Sequence, residues 1–430
     1  MGARFPTKGE TMFRRALRVT ASSLVALSLV ASAAGCGMSL TATELTAGIK
    51  PAEAASLEVG EGSQAYDFAL DLLRQSVDDE NVLVSPLSAL SALAMAENGA
   101  SGETLAQMEQ VAGMSADELT DLLQAYGALA DDSPLSLANS IWLRDSDGLS
   151  VEDAFLEACG GHLGSQVFSA PFDGSTVNDV NTWVSEKTHE MIPQMLDEIP
   201  DGAQVLLVNA LAFEGDWEEP FEEAMVAPDT FTCEDGTRRD VTMMRSTELD
   251  YLEGELATGF IKPYAGYDYA FVGLLPAEGV SVRELLEGLD GDALRSLLTP
   301  VEGIVAEIGL PQFTASYEAE LSDALQALGM TDAFDPELAD FSRMGRGEEG
   351  PLFINDVLQK TFVDVNEEGT HAAAATVVTM GEGTAAPPGA PDNPRGHPRP
   401  AVRLPHRGPP RGHAGLYWHR HGRGVGLARK

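Results

Sequence analysis

The sequence predicts a mixed α+β fold whose sheets are largely antiparallel. Three observations point there. Segments with apolar residues at every third or fourth position are interspersed with short runs of β-branched and aromatic residues. These never settle into strict βαβα alternation, which disfavours a doubly wound parallel sheet. A chain of 430 residues, 44% hydrophobic and 22% charged, has the apolar material for a large core, so disorder is not the starting expectation. Length alone, at roughly 100–200 residues per domain, suggests two domains, and no internal repeat is visible.

At the N-terminus Arg14, Arg15 and Arg18 precede an apolar run over residues 24–34, with Met12 as an alternative start. The run is shorter than the ~20 apolar residues that cross a bilayer, and it reads as a secretory signal. Ala33-Ala34-Gly35-Cys36 resembles a bacterial lipobox, in which the cysteine is acylated after cleavage, although the large residue usual three positions before the cysteine is missing. Residues 1–36 are assigned to the signal with Cys36 as the candidate lipidation site, simple secretion being the alternative. Residues 37–60, rich in Ala, Thr, Glu and Gly, are assigned to a flexible tether. The expected location is extracellular, lipid-anchored at the cell surface.

Helical spacing marks residues 64–77, 103–111 and 178–199. Strand-like runs mark residues 136–143, 204–213, 269–275, 304–311 and 361–365. A formal net charge of -40 repels polyanions, which argues against nucleic acid or an anionic lipid face as the main partner. Three cysteines, Cys36, Cys159 and Cys233, make neither a disulfide framework nor a zinc pattern, so packing must hold the core.

Enzyme motifs fail one by one. No G-x-S-x-G is present, and Gly99-Ala100-Ser101-Gly102 has the wrong spacing for a nucleophile turn. His189-Glu190 opens an H-E-x-x-H pattern, but position 193 is Pro, so the second metal ligand is absent. The run from Gly345 to Gly350 satisfies G-x-G-x-x-G by letter, yet a strand-like run follows it, leaving no helix N-terminus for a pyrophosphate. Five of the eight histidines crowd the last residues without a defined cage. The chain is expected to have no catalytic residues, no cofactor and no metal.

Residues 352–378 read LFINDVLQKTFVDVNEEGTHAAAATVV. A strand-like run ends in Glu367-Glu368-Gly369-Thr370, then come His371, four alanines (Ala372, Ala373, Ala374, Ala375) and β-branched Thr376 to Val378. Alanines alone favour helix. Here they lie between β-branched runs and follow a glycine that relieves the backbone. Small side chains are what a segment needs if it must slide between two strands that already pair.

This segment resembles the reactive-loop hinge of the serpin family, and further motifs follow in family order. Asn81-Val82-Leu83-Val84-Ser85-Pro86-Leu87-Ser88 resembles the start of the helix beneath the main sheet. Residues 208–217, from Val208 and Asn209 to Asp216 and Trp217, resemble the central strand and the tryptophan at its top, with Phe221 following. Leu310-Pro311-Gln312-Phe313, then residues 321–334 with Leu328-Gly329-Met330, resemble the late strand and helix. Over about 65–380 the resemblance implies one large domain, assigned to residues 61–386, with three mainly antiparallel sheets, about eight or nine helices and an exposed reactive loop. It implies a monomeric inhibitor of a serine or cysteine protease, touching membrane only through an N-terminal lipid anchor. The loop would be attacked as substrate and would then enter the main sheet as a new strand. Thr370, Ala372, Ala374 and Thr376 would share one strand face, all small, with His371 opposite. Ser85, Pro86, Ser88, Asn209, Trp217 and Gln359 would form the sheet-opening region.

Counting along the loop from Glu367 in the family pattern places the scissile bond near Gly383-Thr384, with Met380, Glu382 and Ala385 as competitors, which suits an elastase- or subtilisin-like target. Gln359 stands where many serpins have histidine, and His371 where a hinge Glu is common. A serpin-fold binding lipoprotein without inhibitory activity is the alternative function.

Composition changes abruptly at the end. Residues 381–430 hold nine Lys or Arg against two Asp or Glu, leaving 18 and 65 for residues 1–380. Residues 387–430 form an aberrant basic tail rich in Pro, Gly and Arg, without the Arg-Pro-Phe segment and two apolar closing strands of serpins. With GC-rich codons read one base forward, residues 399–402 permit Asp-Arg-Pro-Phe, residues 403–408 permit Val-Phe-Leu-Ile-Val-Asp, and residues 416–421 permit Phe-Thr-Gly-Thr-Val-Thr. A frameshift between about 387 and 399 is therefore expected, and with it a core short of two strands and an inactive product; a polyanion-binding arm is the other reading of the tail.

Overall fold

The computed structural model describes residues 40–52, 63–77, 81–127, 134–146, 148–200, 202–347, 350–371, 414–419 and 425–429. Nine α-helices lie among them: α1 (Gln64–Ser76), α2 (Pro86–Gly99), α3 (Gly102–Ala112), α4 (Ala116–Gly127), α5 (Asp153–Glu157), α6 (Gly174–Lys187), α7 (Val282–Glu287), α8 (Gly291–Leu297) and α9 (Ser322–Leu328). Their ends follow local chemistry. Ser85 caps α2 by accepting from the Ser88 amide, with Pro86 in the first turn where no backbone donor is needed. Ser281 and Glu284 close a capping box on α7. Gly329, at φ 118°, ends α9 in a left-handed turn.

The main sheet has eight strands. In order across it run β1 (Thr43–Glu44), β5 (Gln166–Ala170), β3 (Leu135–Arg144), β6 (Val205–Phe213), β16 (Asp356–Val365), β17 (Gly369–His371) and β7 (Gly215–Asp216), while β14 (Phe313–Glu320) pairs the other edge of β16. It is mixed: β3 is parallel to β5 and β16 is parallel to β6. A six-stranded sheet orders β10 (Asp250–Glu253), β11 (Ala257–Pro263), β12 (Tyr269–Pro276), β18 (Ala414–His419), β19 (Val425–Arg429) and β2 (Leu83–Val84). Strands β13 (Ala306–Pro311), β9 (Arg238–Glu248) and β8 (Val226–Thr232) form a third sheet, and β15 (Gly345–Arg346) with β4 (Ser150–Val151) a small ribbon.

Side-chain alternation explains why the main sheet is covered on both faces. Val205 and Leu207 of β6 join Ile141 and Leu143 of β3 in a core shared with α1 and α2. Leu206, Val208 and Ala210 point the other way and pack with Trp142, Phe168 and the Val180, Trp183 and Val184 of α6. A strand buried on both faces reads as the continuous apolar run seen at β6, whereas β16 alternates, burying Val357, Gln359, Thr361, Val363 and Val365.

Three expectations change. The helix expected over residues 178–199 is α6, which starts earlier because Asp173 accepts from the Ser175 amide, and stops at Lys187 because His189 and Glu190 take φ of 51° and 66°. Met191, Ile192, Met195 and Leu196 still reach the core without a helix, since the Asn181 side chain accepts from the amides of Met195 and Leu196. The tether assigned to residues 37–60 is not free in its described part: β1 pairs β5, and Thr41 and Ala42 donate to the Asp179 carboxylate. The tail was expected to leave the core two strands short, yet β18 pairs six residues of β12 and β19 bridges to β2. Its runs of Leu416-Tyr417-Trp418 and Val425-Gly426-Leu427 are the β-competent stretches of an otherwise Pro- and Arg-rich segment.

Candidate functional site

Beneath the main sheet, the start of α2 meets the middle of β16. Gln359 is 1% exposed, and its side-chain amide forms a two-point contact with one residue: its oxygen accepts from the Ser85 amide at 2.9 Å and its nitrogen donates to the Ser85 carbonyl at 2.9 Å. Gln359 pairs in register with Asn209 of β6, whose side chain donates to Asn139 on β3. Around them the Ser88 hydroxyl, the Asn209 side-chain oxygen and the Thr361 hydroxyl are buried without a hydrogen-bond partner. Most buried polar atoms are paired, so this cluster marks the β6–β16 seam as a place where the core is not fully satisfied. Ser85, Pro86, Ser88, Asn209 and Gln359 are thus brought together.

Trp217, assigned to the same group, lies elsewhere, at the far end of the seam. There β16 turns back on itself. Asn366 makes the turn: its side-chain oxygen accepts from the amides of Glu368 and Gly369, and its own amide donates to the Gly369 carbonyl. The returning strand, β17, is laid between β16 and β7, pairing Thr370 with Val365 on one side and with Gly215 on the other. The approach is so close that a Cβ on Gly369 would lie 2.2 Å from the carbonyl oxygen of Gly215, which is why the position requires glycine.

Aromatic side chains hold the turn from behind. The Trp217 indole donates to the Asn366 carbonyl at 2.9 Å, the Trp217 amide to the Glu368 carbonyl, and the Phe221 amide to the Glu367 carbonyl. Tyr264, stacked on Trp217 with ring centres 4.5 Å apart, shares a hydrogen bond with the fully buried Thr370. Gln312 donates to the Glu367 carboxylate. Asn366 and Tyr264 were not singled out from sequence, and Gln312 was read there only as part of a late-strand motif. The Asn-Glu-Glu-Gly order was a readable turn signal for the first, whereas the other two reach the hinge only through tertiary packing.

Among the described residues no group of His, Cys, Asp or Glu is placed to hold a metal ion, and no helix is long and apolar enough to cross a membrane. Ala372, Ala373, Ala374, Ala375, Gly383 and Thr384, together with Cys36, lie outside the described residues.

The hinge, expected in an exposed loop that enters the sheet on cleavage, is a strand hairpin whose glycine-led arm already lies in the main sheet. The family model of Serpin (serine protease inhibitor) matches residues 63–391, more than half of the chain. The chain belongs to the serpin family. It is 32% identical to Serpin B6 of Pongo abelii over 334 residues, 73% of this chain and 87% of that protein. It is 30% identical to the leukocyte elastase inhibitor of Equus caballus over 337 residues, 73% of this chain and 87% of that protein. The solved structure of Tengpin, a thermophilic serpin in the native state, superposes with a TM-score of 0.78 at 37% identity, covering 90% of this chain and 98% of Tengpin. In this serpin β6 and β16 pair directly from Asp356–Leu206 to Thr361–Leu211, so no strand lies between them there, and among the described residues of the hinge Gly369 to His371 enter the sheet. Protease inhibition is the role for which the family model is named.

Proposed function

We propose that this serpin inhibits a serine or cysteine endopeptidase as a suicide substrate, through insertion of its reactive loop between β6 and β16. The observation that carries the reading is the seated hinge: Gly369 and Thr370 already occupy the first two rungs of the slot, against β7 on one side and β16 on the other. The residues that would follow into the slot are four alanines, too small to obstruct it. The protease nucleophile attacks the carbonyl of the bond near Gly383-Thr384; the amide bond breaks, the new amine leaves with the proton the nucleophile gives up, and the loop stays bound to the protease as an ester on serine or a thioester on cysteine. The freed loop then parts β6 from β16 and pairs with both, a strand addition that drags the protease with it. The orphaned hydroxyls and amide oxygen along the seam favour this, because the closed state is not the best-satisfied one. The target tolerates small residues, as elastase- or subtilisin-like enzymes do. The inhibitor acts as a monomer outside the cell, held at its surface through Cys36.

The test is incubation of the full chain with a panel of elastase- and subtilisin-like proteases. An SDS-stable adduct of the summed mass less a C-terminal peptide starting near Thr384, which is released, is the expected result. Cleavage in the loop without an adduct, and without a rise in thermal stability afterwards, overturns the reading in favour of a non-inhibitory binding protein.

A further inference from the structure

Behind the aromatic platform lies a charged pair that the inhibitor mechanism does not require. Lys262 of β11 is 2% exposed and Glu248 of β9 is 8% exposed, and the ammonium donates to the Glu248 carboxylate at 2.8 Å. Ser246 donates to the same carboxylate oxygen. The two strands belong to different sheets, so the pair joins the second sheet to the third. The ammonium also lies 4.4 Å from the ring centre of Phe221 and 5.6 Å from that of Trp217, within the range at which a cation is held by an aromatic face.

Burying two charges costs desolvation, and an apolar pair of the same size would often be as stable, so a buried pair points to a positional role rather than to net stability. The role is visible in what these rings do. Trp217 and Phe221 supply three of the hydrogen bonds that clasp the hinge turn, through the indole and both amides. Their edge-to-face contact, with ring centres 6.2 Å apart at 85°, leaves the ammonium touching both at once. We propose that Lys262, anchored by Glu248, is a positioning residue for the reactive-loop hinge: it fixes the Trp217–Phe221 platform and through it the register in which residues 366–370 enter the main sheet. This rests on the inhibitor reading only for its consequence, which is the share of encounters that end in a trapped protease rather than a cleaved, released loop.

The test uses the full chain without protease first. In Lys262→Met/Glu248→Leu both charges are replaced by apolar groups of similar size, so that neither is left buried alone; Lys262→Arg keeps the cation. Hydrogen–deuterium exchange over residues 215–222 and 366–371 is expected to speed up about tenfold in the double variant and to stay at the wild-type rate in Lys262→Arg, with residues 205–210 of β6 unchanged in both. Wild-type exchange in the double variant overturns the proposal, and so does a rise spread evenly over β3 and β6, which marks general loosening. The second arm measures moles of inhibitor consumed per mole of protease trapped. The double variant should consume several-fold more, and an unchanged ratio overturns the link to trapping. Absence of any adduct with the wild type counts against the inhibitor reading alone, since the exchange result is obtained without protease.

Discussion

The side-chain oxygens of Tyr264 and Thr370 lie 2.6 Å apart, in a hydrogen bond that ties the residue following β11 to a buried residue of the hinge. Both residues are closed to solvent, at 1% and 0% exposure. Tyr264→Phe keeps the ring stacked on Trp217 and removes only the hydroxyl. The loss of a buried partner should cost about 1–3 kcal/mol, read as a lower urea midpoint for the first unfolding transition. It should also open residues 366–371 to limited proteolysis sooner than the rest of the sheet. An unchanged midpoint would show that Thr370 finds another partner at no cost.

Thr370→Arg tests the slot itself. The site admits a threonine at full burial, against β7, β16 and the Tyr264 ring. A guanidinium there is either buried unpaired, at several kcal/mol, or kept out, which keeps β17 out with it. Since about 1.4 kcal/mol already shifts a partition tenfold, the variant should be cleaved in its loop and release the protease. Gel analysis should show the cleaved chain in place of the adduct, and adduct yields equal to the wild type would mean that insertion does not pass through this position.

Gln359→Leu removes both hydrogen bonds to the Ser85 backbone while filling most of the same space. The Ser85 amide is left without a partner, at about 1–3 kcal/mol in a core position, while its carbonyl keeps the bond from the Ala89 amide, so the loss should match that of Tyr264→Phe. Because Ser85 caps α2, the damage should appear as lost helix in the far-ultraviolet circular dichroism near the first transition. A variant as stable as the parent would remove Gln359 from the bonds that hold the seam closed.

The sequence carried the hinge because its chemistry is local: Gly369, Thr370 and the alanines follow one another, and the glycine is needed by a backbone contact that any neighbouring bulk would break. Strand β6 was legible for the same reason, through its continuous apolar run, and β16 in its second half, residues 361–365. What escaped depends on distance along the chain. Tyr264 meets Thr370 across 106 residues, and Lys262 is indistinguishable in sequence from a solvated lysine at the end of a strand. The spacing of Met191, Ile192, Met195 and Leu196 satisfied a helix and was instead met by a turn pinned to Asn181, because burial fixes which residues face inward without fixing the backbone that delivers them. Trp217 was grouped with Asn209 through the family resemblance, which set it at the top of the sheet, and strand length separates the two ends of the seam.

Glu97 supplies a prediction with a pH signature. It lies on α2, fully buried, and both carboxyl oxygens lack a hydrogen-bond partner. Burial, reinforced by the charge of Glu109, pushes its pKa up from 4.5 to about 8. Below pH 4.5 the group is neutral in the folded and unfolded chain alike and its protonation does not affect stability. Between 4.5 and 8 the unfolded chain ionises while the folded one holds its proton, so unfolding releases a proton and stability falls by about 1.4 kcal/mol for each pH unit. The loss reaches about 3 kcal/mol at pH 7 and levels off above pH 8, where the folded carboxyl ionises too. Glu97→Gln keeps the shape of the protonated acid and cannot ionise. Its advantage over the parent, measured as the difference in urea midpoint, should be near zero at pH 4, grow steadily to pH 8 and then stay flat. A difference independent of pH would mean that the folded Glu97 carboxylate is already charged at neutral pH, stabilised inside the core by a counter-charge.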